Sequence, residues 1–105
     1  MQHIEIDEYV LDVLMPDLVG HDRSPAAFVV YLRIWTELYR LEEKTVPMSL
    51  QQLARRTGLS KAAVQAGLRL LKRRKLVVST HASRTAVPEY GLLRHWIRRR
   101  IRRSQ

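Results

Sequence analysis

The chain has no cysteine. Disulfides and thiolate sites are therefore excluded, and the composition suits a reducing interior. No apolar run approaches the roughly 20 residues needed to span a membrane. The first residues carry acids and no early Lys or Arg, unlike a secretory signal or transit peptide. These absences lead us to expect a cytoplasmic, nucleoid-associated protein with no membrane partner. His3, His21, His81 and His95 are scattered without metal-ligand spacing. There is no P-loop or dinucleotide glycine pattern. Glu5, Asp7, Glu8 and Asp12 cluster in sequence, but no base or nucleophile accompanies them. They read as a solvated or dimer-facing acidic segment that can also shield the protein's own basic surface. No metal, no cofactor and no enzymatic activity are expected.

The most informative absence is of acid between Glu43 and Glu89, a span that holds ten Lys or Arg residues. The 105 residues make one domain with a modest burial margin. With 46% hydrophobic residues the chain should fold. The net charge of +9 calls for an anionic partner. That charge is segregated: residues 1–48 hold nine acids and four bases, and residues 49–105 one acid and fifteen bases. A charge serving only solubility would be mixed over the surface.

Ile4 and Ile6 alternate with polar residues, as in a short strand. Tyr9, Val10, Val13 and Leu14 fit either a helix or a turn segment, and Pro16 and Gly20 are expected to break regular structure. Ser24-Pro25 starts a long helix, with Ser as cap and Pro in the first turn. Phe28, Leu32, Trp35 and Leu38 recur on one face of it, which is core packing, and it ends near Glu42. Ser49 caps a second helix, and Gln52 three residues on completes a capping box. Thr57-Gly58 ends it. Ser60 caps a third helix whose inner face is Val64, Leu68 and Leu71. Residues 76–80 are apolar and β-branched, hence a strand. Residues 87–93 read as a returning strand, with Pro88 placing it at a sheet edge. The fold class is mainly α with a small β-hairpin.

Two short helices joined by a glycine turn, with charge of one sign, describe a helix-turn-helix that meets nucleic acid. A helix entering the major groove exposes donors near its N-terminus. The outward positions of the third helix are Lys61, Ala62, Gln65, Ala66, Arg69 and Lys72. Lys61 and Gln65 are the candidate base readers, since Lys reaches guanine acceptors and Gln pairs adenine with two hydrogen bonds. Arg69, Lys72 and Ser60 suit phosphate contact, together with the backbone N–H groups at the helix start. Ala62 offers small apolar contact, for example to a thymine methyl. Ser49 and Gln51, at the start of the second helix, complete the DNA-facing set there. So few direct readers imply a dimer on two half-sites or readout of DNA shape.

The run from Ser24 to about Trp96 resembles a winged helix-turn-helix: a three-helix core, a wing and an Arg-rich C-terminal helix or tail. S-P-A-A-F-V-V-Y-L followed by S-L-Q-Q-L-A-R-R-T-G-L-S-K-A-A-V-Q is similar to plasmid and phage replication initiators. It is similar also to regulators of the MarR and GntR type. By this resemblance the hairpin is the wing. Arg84 is then its phosphate-binding or groove-inserting residue, beside His81, Ser83 and Thr85. Two departures stand out. Gly67 sits mid-helix, which fits close packing against another helix, and Lys75 occupies a place where the family often has Gly. The domain boundaries follow: an acidic segment at 1–23, the winged helix-turn-helix at 24–93 and the Arg-rich tail at 94–105. The tail, with Arg98, extends the phosphate footprint, or forms an amphipathic helix on its own domain or a dimer mate, or lies on an anionic membrane.

The expected partners are double-stranded DNA and a second copy of the chain, with a protein partner possible through the N-terminal segment. The reading is a bacterial-type transcription regulator acting as a homodimer. A plasmid or phage replication or partition factor is the alternative within DNA binding. A winged-helix protein–protein interaction module is the alternative outside it.

Overall fold

The computed structural model describes residues 2–97. Two π-helical segments, Val10–Leu14 and Pro16–His21, precede helix α1, Pro25–Leu41. Strand β1, Val46–Pro47, leads to α2, Leu50–Thr57, and α3, Lys61–Arg73. Strands β2, Val77–Thr80, and β3, Glu89–Leu92, complete the fold. No helix among the described residues is long and apolar enough to cross a membrane.

Each α-helix begins where its cap residue places it. Ser24 accepts from the Ala27 N–H at 3.2 Å, and Pro25 opens α1. Ser49 and Gln52 exchange side-chain and backbone hydrogen bonds at 3.1 and 2.8 Å, the reciprocal box expected from their spacing. Ser60 accepts from the Ala63 N–H at 3.1 Å. Gly58 turns the chain between α2 and α3 at φ 82°, a region open to Gly without steric cost. A single core gathers Val10, Leu14 and Leu18 from the π-helical segments with Tyr31, Ile34, Leu53, Val64, Leu71 and Val77.

Gly67 is the point of closest approach between α1 and α3. A Cβ built on it would lie 3.1 Å from the Ala27 Cα and 3.4 Å from the Ala26 carbonyl carbon. The mid-helix glycine thus marks helix–helix packing, as its position suggested.

Four expectations are corrected. Ile4 and Ile6 lie in an irregular segment. It pairs with no strand among the described residues, and its Glu5 carbonyl instead accepts from the Trp35 Nε1–H at 2.8 Å. Pro16 does not break the helical course but opens the second π-helical segment, where the missing N–H matters least. Gly20 lies inside that segment. The sheet has three strands, not two, in the order β1-β3-β2. Val46 pairs with Tyr90 and Val78 with Gly91, so β3 is the central strand and β1 and β2 are the edges. Pro88 stands just before β3, and its carbonyl accepts from the Met48 N–H at 3.1 Å.

Candidate nucleic-acid interface

The outward positions of α3 are as the helical period places them. Lys61, Ala62, Gln65, Ala66, Arg69 and Lys72 are exposed, while Val64, Leu68 and Leu71 are buried. The turn before α3 is held by Thr57, whose Oγ1 donates to the Leu53 carbonyl at 2.6 Å and accepts from the Leu59 N–H at 3.2 Å. These bonds close the turn that leads into α3.

A groove of about 540 Å³ runs between the start of α2, the outer face of α3 and the sheet. It brings together Ser49, Gln51, Gln65, Arg69 and Lys72, with His81 on the far side. Leu50, Leu68, Pro88 and Tyr90 also line it. Burial raises the Tyr90 phenol above its ordinary range. Ser60, Lys61 and Ala62 lie at the α3 start and do not line the groove. Arg84 is exposed in the turn-rich loop between β2 and β3 and does not line it either. Arg98 and the arginines after it lie outside the described residues.

The cations fall into two sets. Arg33 and Arg56 both reach Glu37, at 3.1 and 2.8 Å. Arg74 forks onto Asp17 and Asp22. The hydrogen bond with Asp17 is the main reason the Arg74 guanidinium sits above its already high ordinary pKa. Arg94 pairs with Asp7 at 2.8 Å and lies 4.9 Å from the centre of the Trp35 ring, a cation–π contact. By contrast, Lys61, Arg69, Lys72 and Arg84 form no ion pair among the described residues. The carboxylates of the first half of the chain neutralise arginines away from the outer face of α3 and leave that face positive.

Three placements were not visible in the sequence. His81, expected beside Arg84, lies across the groove from α3. Arg74, one of a run of four cations, is taken out of it by carboxylates 52 and 57 residues earlier. Asp7, expected to be solvated or to face a second copy, accepts from Arg94 and from the Trp96 Nε1–H at 2.8 Å. Trp96 also stacks on Tyr9, with ring centres 4.4 Å apart. The described start of the tail thus packs on its own domain. Only contacts between residues far apart in the chain reveal these partners.

Residues 30–85 match the MarR family, from the second turn of α1 through the loop of the wing. No curated protein and no solved structure matches the chain. The match covers more than half of the 105 residues and includes α2, α3 and β2, while Pro88 and Tyr90 of the groove lie beyond it. The chain belongs to the MarR family of winged-helix, DNA-binding transcription regulators.

Proposed function

We propose that the protein is a sequence-preferring, double-stranded DNA-binding transcription regulator that acts as a homodimer on the nucleoid. The observation that carries this reading is the outer face of α3, exposed and positive, with Lys61, Arg69 and Lys72 unpaired among the described residues. Lys61 and Gln65 read base edges in the major groove. Arg69 and Lys72 hold phosphate, Ser49, Gln51 and Ser60 add polar contacts at the helix starts, and Ala62 packs on the bases. Arg84 follows the minor groove or backbone from the wing. Arg98 extends the same footprint.

With so few readers per subunit, two half-sites supply the discrimination that one cannot. Support for a dimer comes from the N-terminal segment, where Leu11, Met15 and Val19 are 43%, 40% and 37% exposed. Large apolar side chains left open on one short segment suit burial against a second copy.

The test is duplex affinity as a function of salt, with the mass of the free protein measured alongside. Four phosphate contacts per subunit give a slope of log affinity against log salt of about −3.6 per subunit bound. Replacing Lys61, Gln65 and Arg69 together with Ala should abolish binding and leave the fold intact. Duplex affinity that stays near ~1 mM at low salt, weaker than ordinary non-specific binding, rejects the reading. Loss of a protein partner with duplex binding preserved replaces it with an interaction module.

A further inference from the structure

We propose that Asp17 and Asp22 are positioning residues for DNA recognition, which act through Arg74 to set the tilt of α3. The inference rests on the duplex reading of α3 given above. It concerns two acidic side chains that face away from the bases.

Arg74 is the C-cap of α3, immediately after Arg73. Its Nη1 donates to Asp22 and its Nη2 to Asp17. The neighbours Arg73 and Lys75 are exposed and form no ion pair among the described residues. The three groups of the fork are at most about a third exposed, at 33% for Arg74, 34% for Asp17 and 15% for Asp22. Asp17 and Asp22 are themselves fixed to each other, because the Asp22 N–H donates to the Asp17 carbonyl at 2.9 Å. Leu18 between them is fully buried. The two carboxylates are thus a rigid pair standing on the core.

Near its middle α3 makes its closest approach to α1, where Gly67 lies against the backbone of Ala27. At 1.5 Å per residue, Arg74 is about 10 Å from that point in one direction and Lys61 about 9 Å in the other. The helix is a lever with its pivot at Gly67. A tilt of ~10° about the pivot displaces Lys61 by about 1.6 Å, given that rise per residue. Useful hydrogen bonds span only about 0.5 Å in length, so such a tilt loses the bases. Apolar packing of Val64, Leu68 and Leu71 holds the helix down but is not directional. A planar guanidinium shared between two fixed carboxylates is directional, and it acts at the far end of the lever.

The experiment compares two duplexes of equal length: one selected from a random pool by the wild-type protein, the other a random sequence. The variants are Asp17→Asn with Asp22→Asn, and separately Arg74→Lys, which keeps the charge but cannot fork. The expected result is about a tenfold loss of affinity for the selected duplex, in the range of couplings carried through packed networks. Affinity for the random duplex and the salt slope should stay at wild-type values. A purely structural role would weaken both duplexes alike, and that outcome overturns the proposal. So does unchanged affinity. So does tighter binding with a slope steeper by about 0.9, which would make Arg74 a masked phosphate ligand. Should the double variant fail to fold, Asp17→Asn alone, leaving the less exposed Asp22 in place, carries the same comparison. If wild-type protein binds neither duplex, the duplex reading falls and takes this one with it. Wild-type binding with unaltered variants overturns this one alone.

Discussion

Gly67→Ala tests the packing of α1 on α3, because two opposing effects meet at one methyl group. On an exposed helix face, replacing Gly with Ala gains about 1 kcal/mol from helix propensity. At Gly67 the added Cβ would lie 3.1 Å from the Ala27 Cα, 3.3 Å from its nitrogen and 3.4 Å from the Ala26 carbonyl carbon. Carbon atoms rest at about 3.5–4.0 Å, so a gap of roughly 0.5 Å must be found. All three neighbours are backbone atoms of α1, so no side chain can swing aside. The whole helix must move, and with it the buried Phe28, Val30, Tyr31 and Ile34. Overpacking of this kind costs about 1–3 kcal/mol. The net expectation is destabilisation by about 1 kcal/mol, which lowers Tm by about 4–8 °C for a domain near this size. Urea and thermal unfolding followed by circular dichroism measure it. Ala66→Gly, on the exposed face of the same helix, is the control and should lose about 1 kcal/mol from propensity alone. A Gly67→Ala protein as stable as wild type, or more so, refutes the close approach.

Three further outcomes follow from single residues. Lys75 has φ 58°, and its N–H donates to the Lys72 carbonyl at 3.0 Å while the Leu76 N–H donates to Leu71 at 2.9 Å. This is the left-handed closure that glycine favours, so Lys75→Gly should raise the urea midpoint by the equivalent of about 0.5–1 kcal/mol, and no gain would refute the strain. Ser49→Ala breaks the reciprocal cap of α2 and should cost about 1 kcal/mol in the same assay. Burial holds the Tyr31 phenol well above its ordinary pKa, and its hydroxyl has no hydrogen-bond partner among the described residues. The unfolded chain loses that proton near pH 10 while the folded chain keeps it. Stability is therefore full below about pH 10 and falls above it by up to about 1.4 kcal/mol per pH unit. Tyr31→Phe should remove most of this alkaline fall, the remainder belonging to Tyr90.

Local chemistry made the helices legible. Ser24-Pro25, Ser49 with Gln52, and Ser60 each mark a start through atoms within three residues of one another, and all three caps form. The outward face of α3 was equally readable, because the helical period alone separates Gln65 and Arg69 from Val64 and Leu68. Strand β1 was not readable. It has two residues, one of them proline, and exists only because β3 arrives from the other end of the domain. Pro88 misled for a related reason: a proline just outside a ladder says nothing about that strand's place in the sheet. The groove was legible on its α3 side and hidden on the His81 side, since the distance across it depends on how the sheet closes.

Asp7 holds both Arg94 and Trp96 across sequence separations of 87 and 89 residues. Closing so long a loop is entropically slow, whereas α2 and α3 meet through neighbours in the chain. During synthesis the helices can therefore assemble early, and the sheet must wait for β3. The Asp7 contacts join segments near the two ends of the described residues. Contacts near a chain end that lie partly exposed open at low free energy in the native state. The amide protons of residues 94–97 should accordingly exchange with solvent sooner than those of α1 and α3.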